Sequence, residues 1–401
     1  MEITEINSLT TFYHRQLSGV DMRFKRYLHN KINWDARLIA IKGARGVGKT
    51  TLVLQHIKQT YSNPDDAFYV SLDHFWFQTH TLQELVEYLY SRGISELYLD
   101  EVHKYKGWAS LIKNFYDAYP DLRIVYTGSS MLEIDNSKTD LARRQTVYTL
   151  HGMSFREYLE YEGVVEIDPL TMDTLLSEHT TLETEICSKV RILKYFGKYL
   201  QEGYYPFYKE AGMDYFIRLH AVSSLVIESD FPAVQDVTYA TVEKTKKLLM
   251  VIAGNVPLQL NVNQLSQALA STRDSCIKML YALDRASLLN LLTVDLKSYK
   301  RLTCPEKIYL NNTNLMYALT DNVNVGTLRE TFFMNQLSAV GTVQAYRRGD
   351  FLVDGKYVFE VGGPDKGYGQ IAGIENSFLA IDGIEYGSGN RIPLWIFGLL
   401  Y

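Results

Sequence analysis

Residues Ile39 to Leu52 read IAIKGARGVGKTTL, and the reading of this stretch decides the fold. An apolar run leads straight into Gly43-Ala44-Arg45-Gly46-Val47-Gly48-Lys49-Thr50 and then, through Thr51 and Leu52, into a helical pattern. Strand, GxxxxGK[ST] loop and helix in that order make a phosphate-binding P-loop. The glycines let successive backbone N–H groups curl around a phosphate, and the helix N-terminus adds partial positive charge. In this reading Gly43 to Thr51 cradle the phosphates. Lys49 reaches the β- and γ-phosphates, and the Thr50 hydroxyl serves as a magnesium ligand.

Working outward, the strands expected at Leu38–Ile41, Ala67–Leu72 and Leu97–Glu101 alternate with helices after the loop and at Leu82–Leu89. The alternation predicts an α/β fold with a parallel sheet covered on both faces. The third strand, LYLDE, ends on two carboxylates at the sheet edge where such folds bind ligands. Asp100 is expected to hold magnesium through water, and Glu101 to orient or deprotonate the attacking water. Trp108, Leu111, Ile112, Phe115 and Tyr119 recur at helical spacing and predict a core-facing helix. A fourth strand, RIVYTGSS, follows; Thr127, Ser129 and Ser130 at its end either bind a γ-phosphate or simply form a turn. Arg143 and Arg144 precede a fifth strand and are candidates for charge stabilisation or for ordinary ion pairs.

Composition narrows the class. The 401 residues hold 41 Lys and Arg against 46 Asp and Glu, so no global charge calls for nucleic acid or a membrane. No run approaches the ~18 apolar residues of a membrane span, and a cytoplasmic protein is expected. Cys187, Cys276 and Cys304 lie far apart in no metal-ligand spacing and read as reduced thiols. The segment from Asp21 to Lys31 is expected to form a helix of no legible function. The acidic stretch from Glu162 to Glu185, with Pro169, reads as a boundary or insertion. Helices are expected at Glu185–Leu200 and Met213–Val226, then a break at Phe231-Pro232.

From Thr241 to Leu310 the pattern gives a helix, a short helix at Asn263–Ala270, and a third helix capped by Ser271 and Asp274. Two strands around a Lys297-Ser298-Tyr299-Lys300 turn complete a winged-helix pattern. DNA binding through Arg273, Lys278, Lys297, Lys300 and Arg301 is one reading, and an intramolecular or protein-contact role is the other. Past residue 321, a helix with Leu328, Phe332, Leu337 and Val340 precedes strands at Thr342–Tyr346, Asp350–Val353, Lys356–Val361, Phe378–Ile381 and Pro393–Phe397. Asp350 and Glu360 resemble the metal-binding carboxylates of a PD-(D/E)XK nuclease fold, with Gly362 where the lysine belongs and Lys366 as a substitute from a nearby loop. A two-residue Asp354-Gly355 turn would put the two carboxylates on opposite faces. A three-residue Val353-Asp354-Gly355 loop would put them on one face. A degenerate nuclease-like site is the favoured expectation.

IKGARGVGKTTL, YVSLD, LYLDEVH, VYTGSS, LARRQTVYTLHGMSFREYL and EGYYPFY resemble, in order and spacing, the AAA-superfamily ATPases of the bacterial and archaeal AAA family 14 type. The rest of the chain resembles the domain of unknown function that usually follows. The resemblance implies ATP and Mg²⁺ as ligands, with the P-loop strand in the middle of the sheet, flanked by the sensor strand and then the acidic strand. It also implies Ser129 as a sensor residue, Arg144 as a motif arginine, and Gly203 and Pro206 in a helical lid near the adenine. The expected organisation is an ATPase core at 1–160, a lid at 161–230, a winged helix at 231–320 and a nuclease-like domain at 321–401. ATP hydrolysis as a conformational switch is the expected function, with a nucleotide-regulated DNA-binding module or a metal-dependent nuclease as alternatives. A protein partner or a second copy of the chain is a further possible partner.

Overall fold

A computed structural model of the chain describes residues 3–128, 141–234, 238–255, 258–259, 262–294 and 304–401. It divides into two compact units, Met1–His151 and Gly152–Tyr401. Residues 152–160, assigned from sequence to the ATPase core, fall in the second unit. Among the described residues no helix is long and apolar enough to cross a membrane.

The first unit is built on strands β1 (Leu38–Lys42), β2 (Phe68–Ser71), β3 (Glu96–Asp100), β4 (Arg123–Gly128) and β5 (Thr146–Thr149). They run parallel in the order β2-β3-β4-β1-β5. The P-loop strand β1 therefore neighbours β4 with β3 beyond, as the resemblance implied, although β4 and not β1 stands at the centre. Helices α1 (Ile3–Gly19), α2 (Lys49–Thr60), α3 (Leu82–Ser91) and α4 (Trp108–Ala118) complete the unit. Its core joins Ala40, Val70, Leu99 and Tyr126 of the sheet to Leu85 and Leu89 of α3, and to Trp108, Ile112 and Phe115 of α4.

One sequence expectation is corrected here. Asp21–Lys31 holds only a short 3-10 turn at Tyr27–Asn30. The long N-terminal helix is instead α1, whose Ile6, Leu9, Tyr13 and Leu17 are buried at helical spacing.

In the second unit the acidic stretch read as a boundary is largely helix, Met172–Lys189, started by the Thr171 side chain accepting from the Thr174 amide. On its inner face His179 and Glu183 are buried as a hydrogen-bonded pair at 2.7 Å. His179 also contacts the Gly389 carbonyl, and Glu183 accepts from the Gly387 amide, so both buried side chains have further partners. A second helix follows at Ile192–Glu202, so the single helix expected at 185–200 is two. Phe231-Pro232 is not a break. Helix Tyr215–Leu225 runs through a π turn at Val226–Asp230 into Phe231–Val234, and the widened turn spares the carbonyl that a proline would strike. Asn314, fully buried, ties three elements together: it accepts from the Tyr204 amide and the Tyr215 hydroxyl and donates to the Tyr199 and Leu200 carbonyls.

Helices Tyr239–Asn255, Val262–Ala268 and Arg273–Arg285 follow, with a three-stranded antiparallel sheet of β6 (Leu258–Gln259), β7 (Leu289–Leu292) and β8 (Lys307–Leu310) in the order β6-β8-β7. The third of these helices is capped by Thr272, which accepts from the Ser275 amide, and not by Ser271. Lys297, Ser298, Tyr299, Lys300 and Arg301 lie outside the described residues.

After helix Val325–Ser338 comes a mixed sheet of β9 (Val343–Ala345), β10 (Phe351–Val353), β11 (Tyr357–Gly362), β12 (Ser377–Ile381) and β13 (Arg391–Pro393), in the order β13-β12-β11-β10-β9. Leu394–Leu399, expected as strand, is a buried 3-10 helix.

Candidate nucleotide site

The site grows from the carboxyl edge of the first unit's sheet. Chain leaving β1 must turn at once beneath the segment after β5. A Cβ on Gly43 would lie 2.3 Å from the Leu150 carbonyl oxygen, so only glycine fits. Gly48 then takes φ 96° as the N-cap of α2, a conformation other residues adopt at a cost. Lys49 is buried, and its ammonium donates to the Gly43 and Ala44 carbonyls at 3.0 and 2.9 Å. The P-loop thus folds around its own lysine.

One residue on, the Thr50 hydroxyl donates to Asp100 Oδ2 at 2.7 Å. Asp100 ends β3, almost fully buried, and also accepts from the Tyr69 hydroxyl at 2.8 Å and from the Thr127 hydroxyl. Burial pushes the Asp100 carboxyl above its usual range, the Thr127 and Thr50 hydrogen bonds pull it back, Glu101 adds to the rise, and Tyr69 opposes it. Three neutral hydroxyl donors around one buried carboxylate leave its charge unmatched by any cation among those partners. Thr50 and Asp100, two hard oxygen donors a hydrogen bond apart, fit the coordination habits of Mg²⁺.

Strand β3 stops at Asp100, one residue short of the expected Glu101. Glu101 leaves the sheet with φ 53°, its amide donating to Thr127 Oγ1 at 3.2 Å. That kink turns the Glu101 carboxylate toward Arg45 of the P-loop, 3.8 Å away, and His103, 3.4 Å away. Burial, reinforced by Lys104, Lys49 and Arg45, lowers the His103 pKa to about 3, so the imidazole is neutral beside the carboxylate. A non-glycine residue held in the left-handed region at the mouth of a site is the kind of strain that functional positions keep.

The structure therefore brings together Lys49, Thr50, Asp100, Glu101 and Arg45. Thr127, left open between phosphate ligand and turn, is a positioning group for Asp100. Ser129 and Ser130 lie outside the described residues. Arg144 forks onto Asp117 of α4, with Nε and Nη2 at 2.8 and 3.0 Å, and lowers that carboxyl's pKa. Pro206 and Gly203 belong to the second unit, where a Cβ on Gly203 would collide with the Tyr199 and Tyr158 rings. Tyr69, His103 and Arg26 were not foreseen. Arg26, buried, donates to the Val47 carbonyl inside the P-loop and to the His151 carbonyl at 2.7 Å, and so braces the loop from behind.

Residues 35–159 match the model of family AAA_14, described as an AAA domain. The likeness to an AAA domain is confined to this segment. The uncharacterized protein MJ1637 of Methanocaldococcus jannaschii is 29% identical over 266 residues, 63% of this chain. The match spans 56% of that protein's length. Solved structures with distant likeness include the Walker-type ATPase PABY2304 of Pyrococcus abyssi, at 12% identity and TM-score 0.40, covering 75% of this chain and 98% of that one. AMPPCP-bound DnaA from Aquifex aeolicus is 14% identical with TM-score 0.26, covering 69% of this chain and 88% of that one.

The second unit's candidate residues also meet, in a register the sequence did not offer. Val353 pairs with Tyr357 across an Asp354-Gly355-Lys356 loop, so one further step brings Asp350 level with Glu360. Asp354 and Gly355 both have positive φ, which moves the loop one residue along. Lys366 takes the place of the missing lysine in space: a Cβ on Gly362 would meet Lys366 Cγ at 2.6 Å, and the ammonium pairs with Glu360. Lys307 lies 3.1 Å from Asp350 and 3.4 Å from Glu330. Among the described residues no set of three His, Cys, Asp or Glu side chains is arranged to hold a metal ion.

Proposed function

We propose that the AAA domain binds ATP with Mg²⁺ and hydrolyses it, and that its nucleotide state is a switch acting on the residues that follow. The observation that carries this is the contact of Thr50 with Asp100 at the sheet edge, beside a lysine folded into its own loop. The choice of ATP over GTP comes from the family.

In this reading the Lys49 ammonium exchanges two backbone carbonyls for phosphate oxygens, and the P-loop amides hold the rest of the triphosphate. Thr50 and Asp100 would hold Mg²⁺, which shields the charge that builds on the phosphate oxygens during transfer. Glu101 accepts a proton from, or orients, the water that attacks the γ-phosphate, and neutral His103 with Arg45 fixes the carboxylate's position. Arg26 and Thr127 hold the loop and Asp100 in place without touching the reacting atoms. Ser129 as phosphate sensor and Arg144 as motif arginine follow from the family, as does a helical lid carrying Pro206.

For the second unit we favour a winged-helix region at 239–310 and a nuclease-like sheet whose acidic site is closed by lysines. The order of helices and strands supports the first, and the Lys307 and Lys366 ion pairs support the second.

The test separates binding from turnover. Lys49→Ala is expected to lose binding of a fluorescent ATP analogue. Glu101→Gln is expected to keep that binding while phosphate release falls on the order of 100-fold. Equal phosphate release by wild type and both variants would overturn the assignment.

A further inference from the structure

The second unit contains a cleft of about 750 Å³ lined by Asn263, Arg273, Glu306, Lys307, Tyr346, Arg347 and Asp350, among others. Three of its cations come from three separate segments: the first turn of helix Arg273–Arg285, the start of β8, and the connection after β9. Arg273 and Arg347 are exposed, and neither has a carboxylate within ion-pair distance among the described residues. Lys307 instead bridges Glu330 and Asp350, one ammonium shared by two carboxylates. Within the lining itself three cations, Arg273, Lys307 and Arg347, stand against two carboxylates, Glu306 and Asp350.

We infer that this cleft binds the sugar–phosphate backbone of single-stranded nucleic acid without any metal ion, and holds the strand uncut. Arginines spread along a cleft suit a chain of phosphates better than a single anion, because each guanidinium can fork onto a different phosphate. Tyr346, half-buried on the lining, offers a ring on which a base can stack. The metal-free part follows from Lys307. Its ammonium occupies the space between Glu330 and Asp350, with Lys366 on Glu360, so the carboxylates that a divalent cation needs already have ammonium groups of the chain on them. This inference is independent of the nucleotide reading, since it rests on the second unit alone.

Fluorescence anisotropy of a labelled oligothymidylate with the full-length protein, in EDTA at about 50 mM salt, tests it. Binding is expected for wild type and equally for Lys49→Ala. The exposed pair Arg273→Ala/Arg347→Ala is expected to weaken binding at least 10-fold. It should also flatten the dependence of log K on log salt by about 0.7 for each lost contact. Tyr346→Ala is expected to weaken it several-fold, and the oligonucleotide is expected to stay intact for hours with Mn²⁺. No binding by wild type, or a double variant with wild-type affinity and salt slope, overturns the site. Cleavage by wild type that Asp350→Ala abolishes overturns the claim that the strand is held uncut.

Discussion

Both units hold lysine beside carboxylates, and the lysines are spent differently. In the first, Lys49 donates to the carbonyls of Gly43 and Ala44, while Asp100 is held by the hydroxyls of Thr50, Tyr69 and Thr127. In the second, Lys307 is shared between Glu330 and Asp350, and Lys366 sits on Glu360. A neutral carbonyl is a weak partner that a phosphate displaces, whereas a carboxylate in a half-buried pair is a strong one. Acid held by neutral hydroxyls keeps a negative charge that suits a metal ion. In the second unit each of the three acids has a lysine on it.

The sharpest way to break this comparison is to neutralise one acid in each unit. Asp100→Asn keeps a shape that the three hydroxyls can bond but removes the charge proposed to hold the metal, so ATP turnover is expected to fall on the order of 100-fold or more. Melting temperature should hold or rise, since a buried charge has been removed. Asp350→Asn is expected to leave turnover at the wild-type level. Phosphate-release assays and thermal melts on both variants decide it, and an equal loss of turnover from the two changes would end the distinction drawn here.

Removing the lysine from the closed cluster has the next largest effect. Lys307→Ala leaves Glu330 and Asp350 facing each other without their shared cation. Burial and Asp350 already push the Glu330 carboxyl upward, so a cost on the order of 2 to 4 kcal/mol is expected. The vacated space between two acids should now accept Mn²⁺. Thermal melts are expected to show Mn²⁺ stabilising Lys307→Ala and not wild type. Equal stabilisation of both would show that Lys307 does not close the site.

The same contrast explains what could be read from the sequence. The P-loop and LYLDE were legible because local pattern carries them: glycines where no Cβ fits, and an acid at the end of an apolar run. The supports of Asp100 were not. Tyr69 and Thr127 reach it only through strand order and register, with Ser71 level with Asp100 in β2 and β3, and one sequence does not contain that pairing. Arg26 belongs to the same class, since its partners Val47 and His151 are distant in the chain. Helix α1 was different. Ile6, Leu9, Tyr13 and Leu17 carry the helical period, but the polar residues between them masked it. In the hairpin the sequence admits two loops and a third forms, because Asp354 as well as Gly355 accepts positive φ.

Acid separates the two units by degrees. In the first, burial lowers His56 to about 4 and His103 to about 3, so unfolding takes up protons as soon as pH falls below the ordinary histidine value near 6.5. Their contribution is complete above that pH and lost below it, at up to about 1.4 kcal/mol per pH unit for each histidine. Asp100, raised by burial, offsets part of this. In the second unit burial raises Glu330 and Glu360, so the folded form binds protons first and acidification from neutrality relieves a cost. Between about pH 6.5 and 5, hydrogen exchange corrected for intrinsic rates should show peptides of residues 38–128 losing protection relative to those of 325–393. The gap should narrow in His103→Asn, where one of the proton-binding groups is gone. Parallel losses in both units at every pH would mean that the buried histidines, like the lysines, do not distinguish them.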